Sequence, residues 1–421
     1  GVAFSLGTAA TLLVIALSGR RLVGRFAGAR GGRRLQRGLG AVLVLTAIAM
    51  VLSLDVRFQQ TLATSLPAFV INPTSALERS GAVEGRLADV RGAPKFTPAG
   101  DDEAVDPEAG PGASAGKPLP VLGRAPEFTG VTRWLNAKPV SVAGQVKAGK
   151  VTLIDFWTYT CINCLRTVPY LRAWNGRYAD KGLTLVGVHA PEFSFEKETG
   201  NVRAAIKRLG LKYPVAQDND MATWGAWGNQ YWPAKYLIDA KGNVRYAHFG
   251  EGDYAETEKA IRSLLAEAGQ KDLATDEAEP AGVRVASDVA TPETYLGTER
   301  ATGFATPLTE GTSTYRRPKA ALELNAFALS GRWTVGSQSS AAVRGARIDA
   351  RVAAKTVYLV LAPPGRGRAG EVRVLLDGKP TRTVEVGSQR LYTLVDLPEA
   401  GEHRLTLKLS KGTAAYAFTF G

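Results

Sequence analysis

Apolar residues are distributed along this chain in two distinct ways. Residues 1–18 and 39–54 contain no charged side chain, whereas later apolar stretches are short and alternate with polar residues. Each uncharged stretch is close to the lower limit of about 17–25 residues for a helix that crosses a bilayer. The pattern predicts two spanning helices followed by water-soluble domains. The alternatives are a buried core helix or a cleaved signal peptide.

The segment between the two uncharged stretches carries seven arginines at positions 20, 21, 25, 30, 33, 34 and 37. A signal peptide has one apolar core after a short basic start, so this arrangement favours a membrane hairpin over residues 1–57. Because arginines concentrate on the cytoplasmic side, we expect everything after Asp55 to be extracytoplasmic. The first residue is Gly rather than Met, so we expect the hairpin to end a longer membrane region.

The net charge of +13 could indicate a nucleic acid or an acidic membrane surface as a partner. Much of the excess lies in the arginine-rich loop of the predicted hairpin. A membrane-facing loop explains that charge without nucleic acid, and we predict no nucleic-acid partner.

Residues 58–118 lack strong periodicity, and the Asp, Glu, Pro, Gly and Ala at 101–116 predict a flexible linker. Residues 119–269 then alternate short apolar runs with helical periods. The run Val151–Trp157 predicts a buried strand, a helix follows to about residue 179, and residues 182–188 predict a second strand. Strand–helix–strand order implies a parallel α/β sheet.

The pattern also predicts smaller features of this α/β domain. We expect a β-hairpin within 119–150, helices at 199–209 and 222–227, and strands at 235–239 and 244–249. Asp253 and Glu256 have the spacing of a capping box that opens a helix running to Gly269.

After an acidic linker at 270–290, residues 291–421 are predicted to be entirely β. Strands are expected at 345–352, 355–361, 371–376, 381–386, 390–395, 402–409 and 415–420, and the pair Asp377–Gly378 predicts a tight hairpin. This spacing of short alternating strands indicates an antiparallel β-sandwich or jelly roll.

Cys161 and Cys164, the only two cysteines, lie where the predicted strand gives way to the helix. Unpaired N–H groups at a helix start favour the thiolate of Cys161, and Cys164 lies one turn further on, where it can attack a mixed disulfide. The same spacing serves half a zinc site or a structural disulfide. The three widely scattered histidines make zinc a poor alternative, so we predict a redox pair with no metal and no further cofactor.

Five further residues accompany the two cysteines in a distinct pattern. An acid, Asp155, stands six residues before Cys161, and the tryptophan Trp157 lies between them. Pro169 lies within the predicted helix, and the pair Trp232 and Pro233 precedes a later strand. These features resemble the thioredoxin superfamily. Together with residues 125–128 and 189–193 they resemble the thioredoxin-like domain of the DipZ and TlpA group. The stretch 291–297, with the predicted sandwich, resembles the carbohydrate-module-like domain that ends DipZ proteins.

The resemblance implies a role for each of these residues. Cys161 would be the nucleophile and Cys164 the resolving thiol, Asp155 a buried proton shuttle, and Pro233 a cis-proline that offers the backbone of Trp232 to a substrate peptide. Trp157 and Trp232 would line an apolar substrate groove. The family implies a membrane-anchored extracytoplasmic reductase, supplied by a CcdA-like membrane donor and acting on secreted proteins or apocytochrome c.

Two other functions stay open on the sequence alone. Thr158 three residues before Cys161 resembles the peroxidatic motif of peroxiredoxins, although Ile154 stands where that motif has proline. Alternatively, the C-terminal domain binds a glycan or cell-wall polymer and the thiols are incidental. Trp333 and Tyr392 are the aromatic residues to test for such binding.

Overall fold

The structure is a computed structural model, and it describes residues 118–280, 291–365 and 367–421. The hairpin predicted at 1–57 and nearly all of the first linker lie outside the described residues. No helix within the three described ranges is long and apolar enough to cross a membrane. These ranges form an α/β domain followed by an all-β domain.

The α/β domain is built on a seven-stranded sheet with the order β1-β7-β6-β3-β4-β5-β2. Strands β3, β4 and β5 run parallel to one another, and the other pairings are antiparallel. The predicted strand–helix–strand unit is therefore confirmed. The strands are β1 (Gly123–Arg124), β2 (Arg133–Leu135), β3 (Val151–Trp157), β4 (Leu183–His189), β5 (Val215–Gln217), β6 (Ala234–Ile238) and β7 (Asn243–Phe249).

Helices cover the sheet, and the central strand β3 is buried along its whole length. Leu153 and Trp157 belong to the core under the helix that carries the cysteines, whereas Ile154 and Phe156 belong to the opposite core. Side chains alternate along a strand, so Asp155 points toward the cysteine helix. The helices are α1 (Val142–Lys147), α2 (Ile162–Tyr178), α3 (Thr199–Leu209), α4 (Ala222–Ala226) and α5 (Tyr254–Glu267), with a 3₁₀ helix at Ser194–Lys197.

The β-hairpin predicted within residues 119–150 is wrong. Strand β1 pairs with β7 and β2 with β5, which places the two strands at opposite edges of the sheet. The apolar run at 139–142 instead leads into α1, because the Ser141 side chain and the Glu127 carboxylate accept the first free N–H groups of that helix.

The capping box predicted at Asp253 is also wrong. Asp253 has a φ of 44°, in the left-handed region, and its side chain caps no N–H of α5. A capping side chain needs extended backbone at the first residue of the motif, so the left-handed conformation turns the carboxylate away from the helix. One Asp253 oxygen lies 3.7 Å from His248 Nδ1 instead.

The all-β domain contains eight strands joined in antiparallel pairs, with the main order β13-β12-β14-β11-β10-β9. Strand β15 pairs with both ends of β11 and with β8, so the sheet bends back on itself around a second apolar core. The strands are β8 (Thr294–Tyr295), β9 (Gly311–Tyr315), β10 (Phe327–Val335), β11 (Ser340–Ala362), β12 (Gly370–Leu376), β13 (Lys379–Val386), β14 (Arg390–Leu409) and β15 (Ala414–Phe420).

Two pairs of predicted strands are single strands in the structure. The stretches 345–352 and 355–361 both belong to β11, and 390–395 and 402–409 both belong to β14. Register shifts where β11 pairs with β14 mark the points at which the sequence pattern suggested a break. The hairpin at Asp377–Gly378 is confirmed, and both residues have positive φ, as a tight turn of this kind requires.

The two domains share an apolar boundary. The rings of Phe193 and Phe195 lie 5.3 and 4.9 Å from the ring of Tyr416 on β15. Val360 and Leu391 of the β domain join the same buried cluster as the α2 core. The β domain therefore completes the packing of the α/β domain on the side of the 3₁₀ helix.

Candidate active site

The two cysteines differ sharply in exposure. Cys161 is the residue that precedes α2 and is partly exposed, whereas Cys164, one turn into the helix, is buried. The Cys164 N–H donates to Cys161 Sγ across 3.3 Å, which holds that sulfur at the start of α2. Both are free thiols, and no group of three or more His, Cys, Asp or Glu in the described ranges could hold a metal ion. An incoming disulfide can therefore reach Cys161 but not Cys164.

Burial raises the pKa of the Cys164 thiol well above its usual range, and its hydrogen bond with Cys161 raises it further. Negative charge on Cys161 and on Asp155 acts in the same direction. Cys164 thus stays protonated in the resting dithiol, and it becomes a nucleophile only when a nearby base takes its proton.

Asp155 is the buried acid that the sequence places beneath the cysteines. Its side chain is 1% exposed, and burial raises its pKa to about 7, with the positive charge of Lys235 partly opposing the rise. Oδ1 of Asp155 has no hydrogen-bond partner within the described residues. A carboxyl with this pKa can accept a proton and return it near neutral pH.

Lys235 is a part of the site that the sequence analysis missed. It stands directly opposite Asp155 in the pairing of β3 with β6, and its side chain is fully buried. Its ammonium lies 3.3 Å from the Gly250 carbonyl and 5.8 Å from the centre of the Tyr254 ring, and burial lowers its pKa. The sequence feature that could have identified Lys235 is the presence of a lysine within the apolar strand that follows Pro233.

Trp232 and Pro233 lie beside the reactive sulfur, and the peptide bond between them is cis. The Trp232 carbonyl oxygen is 3.8 Å from Cys161 Sγ, and the indole N–H donates to the Ala190 carbonyl at 3.1 Å. The indole also packs on Trp224, with ring centres 4.3 Å apart. The backbone of Trp232 is thus held next to the point where a substrate disulfide would arrive.

The prediction that Trp157 lines a substrate groove is wrong. Its side chain is 2% exposed, and its ring packs edge-on against His189 at 5.3 Å. A Cβ on Gly187 would lie 2.9 Å from the Trp157 indole nitrogen, so the tryptophan fills space against the neighbouring strand. Strand β3 is buried on both faces, which leaves Trp157 no route to a bound substrate.

A cleft of about 500 Å³ opens at Cys161 and is walled by both domains. Glu192 lies in this cleft and accepts hydrogen bonds from the Tyr295 hydroxyl and from Arg300, each at 2.9 Å. Burial raises the pKa of Glu192 to about 7, with further contributions from the charges of Glu293 and Glu196. The β domain thus supplies part of the surface that an approaching substrate meets.

Glu196 is a second residue that the sequence analysis did not single out. Its carboxylate is fully buried and accepts the Thr158 and Thr160 hydroxyls at 2.6 and 2.7 Å. It also accepts the backbone N–H groups of Glu192 and Phe193 at 2.6 and 3.0 Å. One side chain therefore ties the loop before Cys161 to the segment that contacts the β domain.

Four residues that bear on other possible functions have buried side chains, and they are Thr158, His189, Trp333 and Tyr392. The Thr158 hydroxyl donates to Glu196 and is fully buried, so it does not face a peroxide at Cys161. Burial lowers the pKa of His189 to about 3, and its ring stacks on Tyr159, which keeps it neutral and structural. Trp333 and Tyr392 are 0% and 4% exposed, so neither presents a face to a glycan.

Comparison with known proteins gives two family matches. Residues 121–265 match the Redoxin family, and residues 291–421 match a family described as "Thioredoxin like C-terminal domain".

Protein DipZ of Mycobacterium bovis is 35% identical over 99% of this chain and 58% of its own length. Thiol-disulfide oxidoreductase YkuV of Bacillus subtilis is 31% identical over 34% of this chain and 94% of its own length. A solved structure, "Solution Structure of a Thioredoxin-like Protein in the Oxidized Form", is 29% identical and covers 34% of this chain and 95% of that chain, with a TM-score of 0.31.

The fold and the site define a thioredoxin-like domain with the geometry of a thiol–disulfide oxidoreductase, followed by a β-rich domain. The chain is a DipZ- and TlpA-like protein of the thioredoxin family. It spans 58% of the length of the DipZ protein that it matches.

Proposed function

We propose that the chain is an extracytoplasmic protein-disulfide reductase, which delivers electrons to oxidised secreted proteins or to apocytochrome c. The observation that carries the proposal is the partly exposed Cys161 directly above the buried Cys164. A structural disulfide or a buried spare thiol would not need one sulfur to be reachable and the other hidden.

The reaction is a two-electron exchange in two steps. The Cys161 thiolate attacks one sulfur of the substrate disulfide, which forms a mixed disulfide and releases the other substrate sulfur as a thiolate. Cys164 then attacks Cys161 Sγ, which releases the second substrate sulfur and leaves a Cys161–Cys164 disulfide. The substrate is reduced by two electrons, the cysteine pair is oxidised, and the two released thiolates take up protons.

Asp155 serves the second step. Cys164 must lose its proton to attack, yet burial holds its pKa well above its usual range. Asp155, with a pKa of about 7, is the carboxyl whose charge Cys164 senses and is suited to take that proton. Lys235, directly across the strand pair, stabilises the carboxylate before the transfer.

The substrate segment binds along the backbone next to Pro233. The Trp232 carbonyl stands 3.8 Å from the reactive sulfur, where an extended peptide could pair with it as an added strand. Tyr295 and Arg300 also line the cleft, so a substrate segment that reaches Cys161 meets these two side chains of the β domain.

A DipZ-like arrangement supplies the electrons. In this proposal residues 1–57 form a membrane hairpin that holds the two domains outside the cytoplasm, and a CcdA-like membrane portion re-reduces the cysteine pair. The arginine-rich loop between two uncharged stretches supports the hairpin. Glycan binding by the jelly-roll-like C-terminal domain stays a prediction based on family resemblance.

The reduction potential of the Cys161–Cys164 pair, measured against glutathione redox buffers, tests the proposed direction. A reductase predicts a value near that of thioredoxin, about −270 mV, together with disulfide reduction that Cys161→Ala abolishes. A value near about −120 mV, as for the oxidant DsbA, would contradict the reductase assignment.

A further inference from the structure

A second cleft, of about 490 Å³, lies on the β domain, and none of its lining residues belongs to the α/β domain. Its floor is formed by β11 and β14, where Asp349 stands opposite Thr406 and Arg351 opposite Arg404. Arg347, Asp349 and Arg351 occupy alternate positions of β11 and therefore share one face. The segment between β9 and β10 adds Arg317 and Lys319 to one wall.

The lining of this cleft is strongly cationic. It holds one acidic residue and five basic ones, which are Arg317, Lys319, Arg347, Arg351 and Arg404. The charge of a ligand for this cleft should therefore be negative.

The single acid of the cleft is already neutralised. Arg347 reaches both oxygens of Asp349, at 2.7 and 2.5 Å, and the Thr406 hydroxyl donates to the same carboxylate at 2.6 Å. Arg317 approaches that carboxylate at 3.6 Å. This pairing forms the floor and leaves most of the positive charge uncompensated.

The remaining basic side chains are available at the rim. Arg351 contacts the exposed Glu402 at 2.9 Å, an ion pair that solvent weakens. Within the described ranges, neither Lys319 nor Arg404 forms a side-chain ion pair. Asp377 accepts the backbone N–H of Arg404, and its other oxygen lies 2.8 Å from His403 Nδ1.

The residues that line this cleft favour charged ligand groups over flat ring systems. No aromatic side chain lines this cleft, whereas guanidinium groups match the oxygen geometry of phosphate and carboxylate. The volume falls within the range of about 300–1,000 Å³ typical of small-ligand sites.

We propose that this cleft binds a ligand carrying two or more phosphate or carboxylate groups. Lys319, Arg351 and Arg404 contact the anionic groups, and the Arg347–Asp349 pair holds the floor in place. The site does not depend on the cysteine chemistry. A result that overturns this proposal would therefore leave the proposed reductase function unchanged, and the reverse also holds.

Titration calorimetry with the full chain tests this site, with tripolyphosphate and citrate as probes and maltotriose as a neutral comparator. We expect at least one anionic probe to bind, at least tenfold more tightly than maltotriose, and to weaken at least fivefold between 50 and 300 mM salt. Preference for tripolyphosphate would assign phosphate as the ligand group, and preference for citrate would assign carboxylate.

The triple variant Lys319→Gln, Arg351→Gln, Arg404→Gln should lose at least tenfold in affinity for the anionic probe. The matched control Arg332→Gln, Arg344→Gln, Arg382→Gln removes three exposed arginines of the same domain that lie outside the cleft, and it should change affinity less than twofold. Far-UV circular dichroism and the alkylation rate of Cys161 verify that both variants are folded. Equal losses in the two variants, absence of binding, or equally tight maltotriose binding would overturn the proposal.

Discussion

Asp155 and Lys235 place two opposite charges beneath the cysteine pair, where both side chains are out of water. Burial raises the pKa of Asp155 to about 7 and lowers the pKa of Lys235. Each group therefore resists ionisation, although each stabilises the charge of the other. Such a pair weakens the folded protein while it supplies a base at the pH where the exchange runs.

Replacing Asp155 with Asn should stabilise the protein at neutral and alkaline pH. The pKa of Asp155 is about 7 when folded and about 4 when unfolded, so the folded state holds its proton more tightly. The contribution of Asp155 to the free energy of unfolding is therefore most favourable below pH 4, and it falls as the pH rises toward 7. Asp155→Asn removes that loss, and denaturant unfolding at pH 8 should show a gain of about 2–4 kcal/mol.

At pH 4 the unmodified protein and the Asp155→Asn variant should have almost the same free energy of unfolding. Asp155 is then protonated in the folded state, and the Asn side chain resembles the protonated carboxyl. Asp180→Asn, at an exposed carboxyl, serves as the control and should change stability by less than about 0.5 kcal/mol at either pH. Disulfide exchange by Asp155→Asn should nevertheless slow near neutral pH. A variant that is less stable at pH 8 would contradict the assigned direction of the pKa shift.

Glu196 should be important both for stability and for the reactivity of Cys161. Glu196→Leu would leave the Glu192 and Phe193 amides and two threonine hydroxyls without their acceptor. Unmet buried donors of this kind cost about 2–4 kcal/mol in total, and the freed loop should slow Cys161 alkylation. Denaturant unfolding and a timed alkylation assay measure the two effects.

Glu198→Leu is the matched control for that variant, because Glu198 is exposed and caps no helix N–H through its side chain. It should change stability by less than about 0.5 kcal/mol. If Glu196→Leu behaved like Glu198→Leu in both assays, the network around Glu196 would not position the loop.

Among the strands, β10 contains a bulge that only glycine can form. Gly331 has a φ of 85°, and a Cβ there would lie 2.1 Å from the Gly345 carbonyl oxygen. Gly331→Ala should therefore destabilise the protein by at least about 2 kcal/mol in denaturant unfolding. Gly345→Ala, also at positive φ but with open space around it, should cost only about 1 kcal/mol. Equal losses would show that the close contact at Gly331 is unimportant.

The same bulge shows why the sequence pattern missed part of the β domain. Ser330 and Gly331 interrupt the apolar alternation of β10, and β9 is largely exposed and polar. Neither strand has the regular alternation of apolar and polar residues that identifies a half-buried strand. Each is held in place by pairing with a strand that is separate from it in the sequence. By contrast, β3 and α2 were predictable because their burial follows their own sequence.

Beyond single elements, the boundary between the domains indicates that they fold together. Phe193 and Phe195 pack on Tyr416, and Ser194 and Asn201 donate hydrogen bonds across the boundary. Splitting the domains would expose these rings to water.

We therefore predict that the two domains unfold in one transition. Tryptophan fluorescence reports mainly the α/β domain, which holds six of the seven tryptophans, whereas far-UV circular dichroism also follows the β strands. The two signals should give the same denaturant midpoint, and Tyr416→Ala should lower both midpoints together. Two separate midpoints in the unmodified protein would show that the domains are independent.

The cleft at Cys161 marks the limit of what the sequence could predict. Cys161, Cys164, Asp155 and the Trp-Pro pair follow from local spacing and family resemblance. The contact of Glu192 with Tyr295 and Arg300 joins positions more than 100 residues apart, and no local pattern signals it. The burial of Trp157, by contrast, agrees with the predicted buried strand Val151–Trp157, and only the family resemblance assigned this residue to a substrate groove.

The difference in reactivity between the two thiols is the most direct test of the proposed exchange chemistry. The reduced full chain is treated with iodoacetamide at pH 7, and the modified positions are followed over time by mass spectrometry. We predict that Cys161 reacts at least about tenfold faster than Cys164 and that Cys164→Ser leaves Cys161 reactive, since only the first sulfur is exposed. Equal modification of both cysteines, or protection of Cys161 in the folded protein, would contradict the proposed mechanism.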